Sequence, residues 1–115
     1  MSSFFRTTIE EAQLKLQSGN ALFVDIRDYA SHCEGHIEPS FHLDQGSIDA
    51  LITQTPRDRP LVVYCYHGHS SQMAARFLVD QGFTEVYNLE GGYEAWTHTK
   101  HTLSLIHISE PTRRS

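Results

Sequence analysis

The sequence predicts an α/β domain with a mainly parallel central sheet and helices on both faces. Three observations lead there. Short apolar runs rich in β-branched residues alternate with stretches of helical periodicity. The apolar runs are nearly continuous rather than alternating, as expected of strands covered on both sides. The length, 115 residues, suits one domain that can bury a core without disulfides or a metal.

The elements follow in order. Thr8-Ile9-Glu10-Glu11 is a capping box, with Thr8 as N-cap and Glu11 at the third helical position. Ile9, Ala12, Leu14 and Leu16 supply the apolar face, and Gly19 closes the helix. Ala21 to Ile26 reads as a buried strand. Asp28 can cap a short helix over Tyr29 to Glu34, ended by Gly35. Ser40 to Leu43 suggests a brief strand, and Ser47 can cap a helix over Ile48 to Gln54, stopped before Pro56. Pro60 to Cys65 is the second clear strand. Ser71 to Gln81 has helical periodicity in Met73, Ala74, Phe77 and Leu78, with Gly82 after it. Thr84 to Leu89 is the third good strand. Gly91-Gly92 then turns into a helix from Tyr93 to Thr97 or slightly beyond.

Residues 1–102 are expected to form the domain. The stretch 103–115 reads unlike the rest and resembles a translated sequencing-adapter fragment, so it is expected to be a non-native or disordered tail. The alternative is a short strand over Leu103 to Ile108.

Bulk properties narrow the function. A formal charge of −5 argues against nucleic acid or an anionic membrane as partner. No apolar run reaches the roughly 18–20 residues needed to span a bilayer. Met1 to Arg6 lacks the pattern of a leader, so the cytoplasm is the expected compartment. There, Cys33 and Cys65 are expected to be free thiols.

In open α/β sheets, ligands sit beyond the carboxyl ends of the strands. That selects Asp25 to Asp28, Cys65 to Ser71, and Leu89 to Gly92. Cys65 closes a buried strand, and Tyr66-His67-Gly68-His69-Ser70 leads to a helix opening near Ser71. Such a loop can curl its backbone N–H groups inward and, with the helix N-terminus, form an anion cradle. Gly68 permits the tight bend. A thiol at the mouth of that cradle should ionise easily, and the thiolate is the nucleophile.

Here the sequence resembles the rhodanese family, in particular its single-domain bacterial thiosulfate sulfurtransferases. Cys65-Tyr66-His67-Gly68-His69-Ser70-Ser71 looks like the family's active-site loop. Val24-Asp25-Ile26-Arg27-Asp28 and Glu34-Gly35-His36-Ile37, with Phe41-His42-Leu43, resemble two earlier blocks. Asn88-Leu89-Glu90-Gly91-Gly92-Tyr93-Glu94-Ala95-Trp96 resembles its closing signature. The resemblance covers about Phe5 to Trp96. It implies a single rhodanese-like domain with Cys65 as catalytic residue. Cys65 would take the outer sulfur of thiosulfate and carry it as a persulfide to cyanide or a thiol acceptor, such as a reduced dithiol protein. Tyr66, His67, Gly68, His69, Ser70 and Ser71 would bind the small anionic donor, and no metal or organic cofactor is needed.

The loop departs from many rhodaneses in having no Arg or Lys. His67 and His69 are cationic only part of the time near neutral pH, which predicts modest affinity for thiosulfate. Other readings are weaker. A cysteine-dependent phosphatase or arsenate reductase needs Arg where Ser71 stands, and Arg76 lies further along the helix. A catalytically silent regulatory module would be expected to lack the cysteine. His32, Cys33 and His36, or His98 and His101, have helical spacing but lack the further ligands of a closed zinc site. His32 is expected to be a solvated helix residue, His36 a residue at the pocket rim, and Cys33 an inert thiol. Asp25 and Arg27 are expected to form a structural salt bridge, with each other or with the active-site loop, rather than to contact the substrate.

Overall fold

A computed structural model of the chain describes residues 4–107, with side chains for residues 4–99. The order is β1 (Phe5–Thr7), α1 (Ile9–Ser18), β2 (Leu22–Asp25), α2 (Tyr29–Glu34), β3 (Phe41–His42), α3 (Ile48–Gln54), β4 (Leu61–Tyr64), α4 (Ser70–Asp80), β5 (Val86–Leu89) and α5 (Gly92–His107). The strands form one five-stranded sheet in the order β1-β5-β4-β2-β3. Every pairing is parallel. All strands therefore end on the same side, and β4, at the centre, delivers Cys65 there between β2 and β5.

Strand alternation divides the core in two. Val24, Leu61, Val63 and Val86 meet Leu51 of α3 and Ala75 and Leu78 of α4 on one face. Phe23, Val62, Tyr64 and Leu89 meet Ala12 of α1 and Trp96 of α5 on the other. The central strand shows both periods at once, since Leu61 to Tyr64 are all fully buried. This is the two-sided burial that continuous apolar runs require.

Local signals set several boundaries. The Thr8 hydroxyl accepts from the Glu11 amide at 3.1 Å, and the Glu11 carboxylate accepts from the Thr8 amide at 3.2 Å. Gly19 closes α1 at φ 72°, its amide on the Leu16 carbonyl. Asp28 and Ser47 occupy the expected N-cap positions, yet neither side chain accepts a helix amide. The Ser47 hydroxyl instead donates to the His42 carbonyl, while Asp44 gathers the Gly46 and Ser47 amides.

Several elements differ from the sequence expectation by a residue or two at their ends, and three differ in ways that matter more. β1 pairs with β5 although its sequence carries little strand pattern, because only Thr7 of its three residues is buried. β4 stops at Tyr64, so Cys65 is the first residue past the strand rather than its last. α5 continues to His107, well past Thr97, near which the helix was expected to end, and through Leu103 to His107, where the alternative placed a strand. Residues 108–115 lie outside those described.

Candidate active site

Cys65 is 6% exposed, at the floor of the loop that joins β4 to α4. Its Sγ accepts the Gly68 amide at 3.1 Å and the Ser71 amide at 3.3 Å. The Ser71 hydroxyl oxygen lies 3.3 Å from Sγ. Gly68 reaches this position at φ 94°, a left-handed conformation that glycine adopts without penalty. Burial is the largest influence on the thiol and pushes its pKa up. Hydrogen bonds at Ser71 and from the Gly68 and Ser70 amides outweigh burial and hold it below the ordinary value.

The loop is fixed from behind. The Gly68 carbonyl accepts from Asn88 Nδ2 and from Gln72 Nε2, each at 3.1 Å. The first amides of α5 support the other flank: Tyr93 donates to the Cys65 carbonyl at 2.8 Å and Glu94 to the Tyr66 carbonyl at 2.9 Å. Backbone can approach backbone this closely because residue 92 is glycine. A Cβ there would stand 2.5 Å from the Tyr66 oxygen and 2.6 Å from the Cys65 oxygen. Gly92→Ala is therefore expected to cost about 1–3 kcal/mol in denaturant unfolding and to lower turnover that depends on Cys65 at least about tenfold. Gly19→Ala is the control. It has a similar positive φ but open space around the new Cβ, so it should cost about 1 kcal/mol and leave turnover intact.

The structure brings Cys65, Gly68, Ser70 and Ser71 together at the sulfur. It places the other predicted loop residues around the rim. Tyr66 is 49% exposed, its ring against that of His67. His67 Nδ1 is held by Glu94 Oε1 at 2.8 Å. His69 stands at the entrance to α4 without capping it. His67 and His69 line a pocket of about 170 Å³ together with Arg6, Asn88 and Glu90. A cation absent from the loop is thus supplied to its neighbourhood by β1. Arg76 is exposed and lines a different groove along α4, with Met73 and Phe77.

Sequence reasoning passed over Asn88 as a site residue. It is 3% exposed in β5, with Oδ1 against the Ser71 hydroxyl. A polar residue inside an apolar strand was the available signal, since buried polar groups need partners.

Beside the loop, Asp25 is fully buried and holds Arg27 through two carboxylate oxygens, at 3.0 and 2.8 Å. The guanidinium also donates to the Gly35 carbonyl and lies 4.2 Å from the Tyr93 ring centre. His32 is not solvated as expected: its Nδ1 is 2.8 Å from Asp25 Oδ2, and its ring stacks on His36 at 3.8 Å. His36 in turn holds the His32 carbonyl through Nδ1. The cause is Asp25, which offers a buried acceptor at the end of β2. Cys33 is exposed on α2. The His101 side chain lies outside those described.

A parallel α/β sheet that delivers a cysteine sulfur into a ring of backbone amides defines a class: domains that use a thiolate to handle small anions. Comparison with known proteins narrows it. The model of the rhodanese-like domain family matches residues 8–99. The chain is 52% identical over 99 residues to the thiosulfate sulfurtransferase GlpE of Stutzerimonas stutzeri, covering 86% of this chain and 90% of that one. It is equally similar, over the same shares, to the GlpE of Ectopseudomonas mendocina. In three dimensions it is similar to the rhodanese-like domain of an Anabaena protein, with a TM-score of 0.74 at 23% identity, covering 82% of this chain and 74% of the other. The chain belongs to the rhodanese-like domain family.

Proposed function

We propose that residues 1–102 form a thiosulfate sulfurtransferase with Cys65 as nucleophile. The Cys65 thiolate attacks the outer sulfur of thiosulfate. The sulfur–sulfur bond of the donor breaks, and sulfite leaves with the electron pair. Cys65 then carries a persulfide, its terminal sulfur within the cradle of the Gly68, Ser70 and Ser71 amides. Cyanide or a thiolate attacks that terminal sulfur, and Cys65 departs as the thiolate. A reduced dithiol protein fits the acceptor role because its second thiol can resolve the transferred persulfide.

The observation that carries this reading is the pair of amide hydrogen bonds to Sγ from Gly68 and Ser71, which favour the anionic sulfur. Tyr66, His67 and His69 form the rim that the donor crosses. The chain's charge of −5 argues against nucleic acid or an anionic membrane surface, while Arg6 beside the loop leaves room for a small anionic donor held locally. Among the described residues no helix is long and apolar enough to cross a membrane. A thiol-dependent cycle suits the cytoplasm, where cysteines stay reduced. Phosphate-ester hydrolysis is not favoured, because the sixth residue after Cys65 is a buried serine rather than arginine.

Exposure to thiosulfate is expected to add one sulfur atom to the Cys65 peptide by mass spectrometry, and cyanide to remove it. With 3-mercaptopyruvate and glutathione persulfide in the same panel, the best donor is read directly. Failure of all three to load Cys65 would overturn the assignment.

A further inference from the structure

The Ser71 hydroxyl has one hydrogen and two claimants. We propose that Asn88 is a positioning residue for Cys65, holding the Ser71 hydroxyl hydrogen away from the thiolate so that the sulfur stays basic and reactive. The inference deepens the reading of Cys65 as nucleophile and rests on it.

The direction of each hydrogen bond is forced. The Gly68 carbonyl can only accept, so the atom of Asn88 facing it is Nδ2. That orientation leaves Oδ1 facing Ser71 Oγ. Oδ1 can also only accept, so the hydroxyl donates to it. While Cys65 is protonated, every group is satisfied: the thiol gives its hydrogen to Ser71 Oγ, and the hydroxyl gives its own to Asn88.

Ionisation breaks this order. Sγ then has no hydrogen to give and can only accept, 3.3 Å from a hydroxyl whose hydrogen is already given. Either Ser71 stays with Asn88 and turns a lone pair toward the thiolate, or it rotates to the sulfur and strands Oδ1. Ser71 is fully buried and Asn88 nearly so, so the stranded oxygen has no ready solvent partner. Both branches penalise the thiolate. The amides of Gly68 and Ser71 favour it, and Asn88 opposes them through Ser71.

The opposition has a use. A thiolate loses nucleophilicity as its conjugate acid becomes stronger. A cradle in which Ser71 was free to donate would give more thiolate but a duller one. Once sulfur is loaded, Sγ carries neither proton nor full charge, and the hydroxyl returns to Asn88 without conflict. Asn88 thus disfavours the empty thiolate relative to the loaded persulfide.

The test is the pH dependence of Cys65 alkylation by iodoacetamide, in a Cys33→Ser background so that the exposed thiol does not report. Asn88→Ala leaves the Gly68 carbonyl with its Gln72 partner. It is expected to lower the apparent pKa of Cys65 by about one unit, with about a threefold slower reaction of the fully ionised sulfur. In a Ser71→Ala background the same substitution should produce no shift. Asn88→Val, which suits a buried strand, serves if the alanine variant does not fold. A rise in pKa, no change, or an equal shift in both backgrounds overturns the proposal. The titration contains no sulfur donor, so its failure is distinct from a failure of persulfide formation.

Discussion

Cys65→Ser is expected to abolish sulfur transfer, with a fall in thiosulfate:cyanide turnover of at least about 10³-fold. The reason is chemical rather than structural. A serine oxygen can still accept the Gly68 and Ser71 amides that now meet Sγ, so the loop keeps its anchor. What disappears is an atom that forms a sulfur–sulfur bond and leaves again as a stable anion. The variant should therefore unfold near the parent midpoint while gaining no sulfur from any donor. Cys33→Ser provides the contrast. Cys33 is exposed on α2 and is not among the groups that meet Sγ, so turnover and loading should survive its loss. Full turnover in Cys65→Ser would require a different nucleophile and would end the persulfide scheme.

Asp25→Ala is expected to cost about 3–5 kcal/mol of stability, because it strands the Arg27 guanidinium in a largely buried site. Its effect should reach Cys65 by a short physical path. Arg27 rests on the Tyr93 ring, and the Tyr93 amide holds the Cys65 carbonyl, so activity should fall in the variant's folded fraction as well. The pH dependence separates Asp25 from packing in general. Burial is the largest influence on its carboxyl and pushes the pKa up, but hydrogen bonds from the Arg27 side chain and amide and from His32 outweigh it, so the folded value lies below 3.8. A lowered folded pKa means stability that is fully present above 3.8 and lost as pH falls through the folded value. The parent protein should therefore lose stability more steeply than Asp25→Ala on the acid limb, measured as denaturant midpoint against pH. Parallel curves would remove Asp25 from the account.

The features legible in the sequence are those written in neighbouring residues. The capping box of Thr8 and Glu11 and the span of α3 follow from local hydrogen bonding and the apolar period. The cysteine loop was legible for the same reason: strand, thiol, glycine and helix stand in order within a few residues. What stayed hidden depends on elements distant in the chain. β1 is three residues long and exists because β5 offers it an edge. His32 carries no sign that Asp25, seven residues earlier and on another element, will take its ring nitrogen. Asn88 looks like a flaw in an apolar strand until the sheet sets β5 beside β4 and the first turn of α4 comes down on it. The loop was read as lacking a cation, but Arg6 comes to its edge from β1, the strand the pattern did not reveal.

The cradle is clamped on both flanks by main-chain carbonyls, on one side by Asn88 and Gln72 and on the other by the opening turn of α5. A site held in this way is expected to move little as a unit. In the proposed reaction it would receive the donor and discharge to the acceptor at the same sulfur, without a closing motion between them. The two substrates must then take turns, giving a double-displacement rhythm in which the loaded enzyme is a resting species rather than a fleeting one. An excess of acceptor would occupy the empty site and delay the next loading. Throughput would follow the concentrations of the two reactants outside the protein, with little contribution from movement within it.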